Sequence, residues 1–127
     1  MNTKILLIED EDCLRQSLLI MLIAEGYEVV GAEDGSIGVD LAKTQSPDLV
    51  ICDLRMPRLN GDQVLEILRH YPATEKTPFI CISSNDLHSA PKPVRELGFR
   101  NFLQKPFSRT DILGAISREL NPALAAG

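Results

Sequence analysis

Five polar residues stand where short apolar runs end. Glu9 and Asp10 follow the run 5–8, Asp53 follows 49–52, Ser83 follows 79–82, and Lys105 lies just past 101–103. Three carboxylates brought together repel one another and raise at least one pKa, unless a cation sits among them. Oxygen ligands with room for water suit Mg²⁺, which takes a few carboxylates and keeps several waters. A lysine ammonium and a hydroxyl beside such a cation are what a phosphoryl group needs around its oxygens. A carboxylate can itself be the nucleophile and form an aspartyl-phosphate. All of this requires the ends of those runs to meet.

The pattern between the runs says how they meet. The runs 5–8, 29–32, 49–52, 79–82 and 101–103 are short, nearly continuous and rich in Ile, Leu and Val, as strands covered on both faces should be. Helical patterns separate them. Asp12 can cap a helix with Leu14, Leu18, Met21 and Leu22 on one face, ended by Gly26. A shorter helix over about 36–43 places Ile37 and Leu41 together, and 61–71 turns Val64, Leu65, Leu68 and Tyr71 inward before Pro72. Ser108 and Asp111 fit a capping box for a last helix that buries Ile112, Ile116 and Leu120. Between 89 and 98, Pro91 and Pro93 can sit only at or before a helix's first turn. Five strands alternating with helices predict an α/β domain with a parallel sheet, right-handed crossovers and helices on both faces. Such sheets bind ligands at the carboxyl ends of their strands, where the five polar residues lie.

Composition removes other classes. The 127 residues are 44% hydrophobic and 24% charged, enough apolar material for one core without metal or disulfide staples. The longest apolar run, 18–24, is far short of a bilayer span, and nothing at the start reads as a signal peptide, so a cytoplasmic location without a membrane partner is expected. Residues 1–84 carry seven Lys/Arg against fourteen Asp/Glu, which suits a cation site better than a nucleic-acid backbone. Cys13, Cys52 and Cys81 have no ligand-like spacing and read as buried small hydrophobes.

At these residues the sequence resembles the receiver domain of two-component response regulators, over about residues 4–120. The carriers are Ile5-Leu6-Leu7-Ile8-Glu9-Asp10, then Pro47-Asp48-Leu49-Val50-Ile51-Cys52-Asp53-Leu54-Arg55-Met56-Pro57 with Gly61, then Pro78-Phe79-Ile80-Cys81-Ile82-Ser83, and Lys105-Pro106-Phe107. The resemblance implies a flavodoxin-like, doubly wound five-stranded sheet of order 2-1-3-4-5 in one receiver domain, residues 1–121, followed by a short tail, 122–127. It implies that Asp53 accepts a phosphoryl group from a phosphohistidine on a sensor histidine kinase or histidine phosphotransfer protein. Asp10, Asp53 and the Arg55 backbone carbonyl would ligate Mg²⁺ or Mn²⁺, with Glu9 acting through water. Lys105 would pair with Asp53 and then with phosphoryl oxygens, Ser83 would swing toward the phosphoryl group, and Phe102 would turn inward behind it. That motion would bias a surface made by the fourth helix, fifth strand and fifth helix toward a downstream protein or output domain.

Glu9 stands where the family usually has a second Asp, Ser83 where it often has Thr, and Phe102 where many relatives have Tyr. Arg55, Ser84 and Asn85 are candidates for tuning dephosphorylation through water access. Pro91 and Pro93 should shorten the fourth helix or make its segment extended, so a phosphorylation-dependent dimer of the usual kind stays open. Leu19 and Ile23, with Ile20 to one side, lie off the buried stripe of the first helix and form a candidate surface for the phosphodonor.

Three function classes compete. The first is a phosphorylatable switch that is no enzyme on external substrates, either a stand-alone carrier or adaptor or a piece of a larger regulator. The second is a pseudo-receiver acting by protein binding alone, whose mark would be loss of Asp53, Asp10 or Lys105; all three are present. The third, an aspartyl-phosphate phosphatase, would place an Asp two residues after the nucleophile, where Arg55 stands. No GxxxxGK[ST] run supports mononucleotide binding, and no Ser/Thr/Gly-rich loop after the first strand supports a flavin.

Overall fold

The structure, a computed structural model, describes residues 2–121; the expected tail at 122–127 lies outside the described residues. The elements run β1 (Lys4–Ile8), α1 (Asp12–Ala24), β2 (Glu28–Ala32), α2 (Gly35–Gln45), β3 (Leu49–Asp53), α3 (Gly61–Arg69), β4 (Phe79–Ser83), α4 (Lys92–Arg95), β5 (Phe102–Gln104) and α5 (Arg109–Leu120). The strands form one parallel sheet in the order β2-β1-β3-β4-β5. This is the expected doubly wound arrangement, with β1 and β3 central and the polar strand ends on one edge.

Alternation along the strands divides the core in two. Leu6, Ile8, Val50, Cys52, Phe79, Cys81 and Phe102 pack with Val39, Val64, Leu68 and Val94, which come from α2, α3 and α4. Ile5, Leu7, Leu49, Ile51, Ile80, Ile82 and Leu103 pack with Leu18, Leu22, Ile112 and Ile116, which come from α1 and α5. Burial on both faces is why β1, β3 and β4 read as continuous apolar runs, each large side chain contributing about 1.5–3 kcal/mol; β2, at the sheet edge, buries only Ala32, short of the covered strand its run suggested. Cys52 and Cys81 are buried as expected; Cys13 is exposed on α1, contrary to the sequence reading.

Several local expectations shift for identifiable reasons. Asp12 is not the N-cap of α1: Glu11 holds that position without a side-chain cap, and Asp12 pairs with Arg15 at 2.5 Å. In α2 the buried positions are Gly35, Gly38, Val39 and Ala42, while Ile37 is exposed, because the helix lies so close to β1 that Ile8 occupies the space of a Gly38 side chain. Tyr71 falls beyond the end of α3 and turns outward, its ring under the Lys43 ammonium at 4.6 Å. β5 begins at Phe102, since Asn101 belongs to a preceding 3₁₀ turn and donates its amide to the Phe79 carbonyl at 3.0 Å. The two prolines shorten α4 to one turn, with Pro91 at its N-cap and Pro93 in its first turn.

Gly61 opens α3 in contact with the strand end it follows. A Cβ there would lie 2.5 Å from the Asp53 carbonyl oxygen and 2.9 Å from the Leu54 Cα, backbone atoms that no rotamer change can move. Gly61→Ala should therefore cost about 2 kcal/mol or more, read as a fall in the urea midpoint at unchanged slope. A midpoint equal to that of the unsubstituted chain would show that this approach is not a constraint.

Candidate functional site

Backbone hydrogen bonds continue past the strands and fix where their last residues point. Glu9 N donates to Ala32 O at 3.0 Å, Leu54 N to Ile82 O at 2.8 Å, and Lys105 N to Ser83 O at 2.7 Å. Glu9, Asp53, Ser83 and Lys105 are thereby held on four adjacent segments at one edge. The Lys105 ammonium sits 3.0 Å from Asp53 Oδ2 and 3.3 Å from Glu9 Oε1, so it bridges the two carboxylates. Glu9 is fully buried and Asp53 is 6% exposed, whereas Asp10 faces solvent. Each of Glu9, Asp10 and Asp53 nevertheless presents a carboxylate oxygen within 4.8 Å of the other two. The Lys105–Pro106 peptide is cis.

The electrostatics follow from that crowding. Burial, and after it the closeness of Asp53, pushes Glu9 from 4.5 up to about 7; the Glu11 amide, donating to Glu9 Oε2 at 3.1 Å, pulls the other way, as does the Lys105 charge. Burial by itself would lower Lys105, but its hydrogen bond to Asp53 and the charges of Asp53 and Glu9 prevail and raise it, so the ammonium is a fixed charge. Two buried carboxylates sharing one lysine, with a third at the solvent boundary, leave surplus negative charge in a set of hard oxygen donors. That donor set fits a divalent cation such as Mg²⁺.

The other predicted residues are placed less uniformly. Ser83 is buried at the end of β4, and its Oγ accepts from the Asn85 amide at 3.0 Å. Ser84 and Asn85 are exposed in the following loop. Arg55 is exposed too, and lines a cavity of about 50 Å³ with Leu54, Asn60, Asp62 and Pro91. Phe102 is only 8% exposed and packs in the core that also holds Leu87, Ala90 and Val94. Its phenyl ring, with no hydroxyl to keep in water, is buried in this structure. Leu19 corrects the proposed surface of α1: it is half-buried, with its methyls over Gly31 of β2, because α1 leans toward that edge strand. Ile20 and Ile23 do stand out, 68% and 58% exposed.

Sequence reasoning missed three features. Arg15 donates to the Glu9 carbonyl at 2.8 Å, fixing the turn between β1 and α1. An apolar groove of about 380 Å³ runs between α1 and the β5–α5 loop, lined by Leu14, Leu18, Met21, Pro106, Phe107 and Ile112 and reaching Lys105. Asp34 bonds Arg58 across 24 positions of chain. The apolar stripe of α1 was legible, but the far wall of its groove comes from more than eighty residues away.

The raised Glu9 pKa sets a sign for pH dependence. Between about pH 4.5 and 7 the cation-free folded chain keeps a proton here that the unfolded chain has lost, so this group makes stability fall as pH rises through that window. A cation competes with the proton and restores what is lost. Mg²⁺ should raise the melting temperature clearly at about pH 8 and little at about pH 5.5, and Glu9→Gln should stabilise the cation-free chain at the higher pH. Equal Mg²⁺ shifts at both pH values would contradict this account of the site.

Comparison with known proteins agrees with the geometry. The family model described as the response regulator receiver domain matches residues 5–117. The transcriptional regulatory protein PdtaR of Mycobacterium tuberculosis is 36% identical over 114 residues, 89% of this chain and 54% of that protein. Protein PilG of Pseudomonas aeruginosa is 32% identical over 113 residues, covering 89% of this chain and 84% of its own length. The chain thus spans about half the length of the first of these relatives and most of the second. Among solved structures, the chemotaxis response regulator CheY4 of Vibrio cholerae superposes with a TM-score of 0.83 at 27% identity, over 94% of this chain and 100% of that one. The receiver domain of the sensor histidine kinase PA1611 of Pseudomonas aeruginosa, solved with a magnesium ion in its active-site cleft, gives 0.85 at 28% identity, over 94% of this chain and 98% of that one. With the same sheet order, the acidic edge and the bridging lysine in place, the chain belongs to the family of response regulator receiver domains.

Proposed function

We propose that this chain is a phosphoacceptor switch of a two-component system or phosphorelay, with Asp53 as the acceptor. The observation that carries the reading is the Lys105 ammonium seated 3.0 Å from Asp53 beside two further carboxylates. In the transfer, a carboxylate oxygen of Asp53 attacks phosphorus and the bond from phosphorus to the donor's imidazole nitrogen breaks, leaving an acyl phosphate on Asp53 and a neutral histidine on the donor. Asp10 and Asp53, the Arg55 carbonyl and, through water, Glu9 would hold Mg²⁺, which when bound neutralises phosphoryl charge. Lys105 would move from Asp53 to the incoming phosphoryl oxygens, and the Ser83 hydroxyl, whose oxygen accepts from the Asn85 amide, would donate its proton to one of them. The chain acts on itself alone in this reading, as acceptor and not as an enzyme on external substrates. Burial of Glu9 and Asp53 with a paired lysine favours it over binding without phosphorylation, since a pure interaction domain has no use for charges kept so costly inside.

The phosphodonor is expected to be a histidine kinase or histidine phosphotransfer protein, and the groove between α1 and Phe107 offers it an apolar seat next to Lys105. Ile20 and Ile23, exposed on α1 off the stripe that lines the groove, are a second candidate contact for the phosphodonor.

Incubation with Mg²⁺ and acetyl phosphate should add one phosphoryl group, seen by mass spectrometry, and Asp53→Asn should abolish it. Lys105→Ala should slow labelling by about a hundredfold or more. No mass gain in the unsubstituted chain would defeat the reading. Phe107→Glu should slow transfer from the protein donor at least about tenfold while sparing acetyl phosphate, and equal loss with both donors would remove the groove from consideration.

A further inference from the structure

The loop from β3 to α3, residues 54–60, carries Arg55 away from the strand end and returns the chain to Gly61. Its far end is coupled to Asp53 by backbone: Gly61 N donates to Leu54 O at 2.6 Å, and Gly61 lies against the Asp53 carbonyl. Within the loop, Met56 N donates to Asn60 Oδ1 at 3.3 Å and Leu59 N to Pro57 O at 2.9 Å. Between these bonds Arg58 adopts φ 70, a left-handed backbone that costs a residue with a Cβ free energy and favours glycine.

What holds Arg58 there is a bond to a different layer of the fold. Its Nη1 donates to Asp34 Oδ2 at 2.6 Å, and Asp34 is buried although the arginine is largely exposed. The second oxygen of Asp34 accepts from Ile37 N at 2.8 Å and caps α2, so the carboxylate cannot follow the arginine without uncapping that helix. Next to it Leu59 presses on Gly35, where a Cβ would lie 2.6 Å from the Leu59 carbonyl oxygen. The same helix packs through Gly38 on Ile8, the residue before Glu9. One rigid element therefore braces both the strand end that carries Glu9 and the loop that follows Asp53.

We propose that Arg58 and Asp34 form a clamp that positions the β3–α3 loop, and with it the Arg55 backbone and Asp53, for the cation of the acidic edge. Neither side chain belongs to the acidic cluster; both are positioning residues. The inference rests on the cation-dependent phosphoacceptor reading and adds a device that sets its cation affinity. The bonds inside the loop tie its residues to one another; the Arg58–Asp34 pair ties the loop to α2.

Arg58→Gly separates positioning from folding, because glycine adopts φ 70 without strain while removing the guanidinium. The variant should melt no lower than the unsubstituted chain, yet bind Mg²⁺ about tenfold more weakly by calorimetric titration, with faster exchange of the amides in the β3–α3 loop. Asp34→Asn keeps a carbonyl to cap α2 and should weaken Mg²⁺ similarly, the double variant being no worse than the weaker single one. Arg58→Lys should recover part of the affinity. Unchanged Mg²⁺ affinity in Arg58→Gly, or losses that add in the double variant, would overturn the clamp. A chain that binds Mg²⁺ with this pattern but takes no phosphoryl group from acetyl phosphate would instead overturn the phosphoacceptor reading and leave the clamp standing.

Discussion

The Lys105 ammonium between Glu9 and Asp53 is the interaction on which the rest of this molecule turns. Two carboxylates from β1 and β3 are brought together by strand pairing, and burial alone would protonate or separate them. A single lysine, delivered from beyond β5 on the other side of β4, offsets that repulsion at 3.0 and 3.3 Å. Even with that charge beside it, burial and then the closeness of Asp53 push Glu9 upward. The site is thus poised to take a cation or a proton, and a phosphoryl group, with its own negative oxygens, enters only where such positive charge can be assembled.

Everything around the triad is arranged so that those strand ends arrive together. The runs of β1, β3 and β4 are buried on both faces, so the register of the sheet has little freedom to slip, and the backbone bonds that run one residue past β1, β3 and β5 carry its order into the polar edge. Small residues let helices come close where they support this edge: Gly38 admits Ile8, and Gly61 admits the Asp53 carbonyl. The loops at the edge are then held from outside, by Arg15 on the Glu9 carbonyl and by Arg58 on Asp34. A rigid scaffold bearing a few charged groups on its loops is a common way to combine a stable core with a surface that responds to charge.

The segment from β4 to β5 has a different character. Pro91 and Pro93 confine α4 to one turn, and the chain before it is held by a 3₁₀ turn at Leu87–Ser89 capped by Asp86. Leu87, Ala90 and Val94 still reach the core and meet the layer that contains Phe102. The short helix therefore remains mechanically linked to β5, through a phenyl ring that is buried and carries no polar tip. The outer surface here differs from one built on a longer helix, while its inner side shares one core with Phe102.

Much of this was readable from the chain. Periodicity located all five strands and the four longer helices to within one or two residues at most ends, because apolar runs covered on both faces and capping pairs such as Ser108 with Asp111 are local signals. Residue type and position after each run singled out Glu9, Asp10, Asp53, Ser83 and Lys105, because parallel sheets gather their carboxyl ends. What stayed hidden depends on how elements lean and cross. Leu19 looks exposed on a helical wheel and is covered because α1 tilts over Gly31; Tyr71 fits the stripe of α3 and turns out because the helix stops first; Phe102 shows its inward position only when packed beneath α4. The Arg58–Asp34 pair and the groove beside Lys105 join segments far apart in sequence, and no spacing rule connects them. The sequence by itself determined which groups reach the edge, since that follows from local pattern and sheet geometry. Only the tertiary structure decided their distances, their burial and the upward push on Glu9, because those are set by side chains meeting across elements that the chain alone does not align.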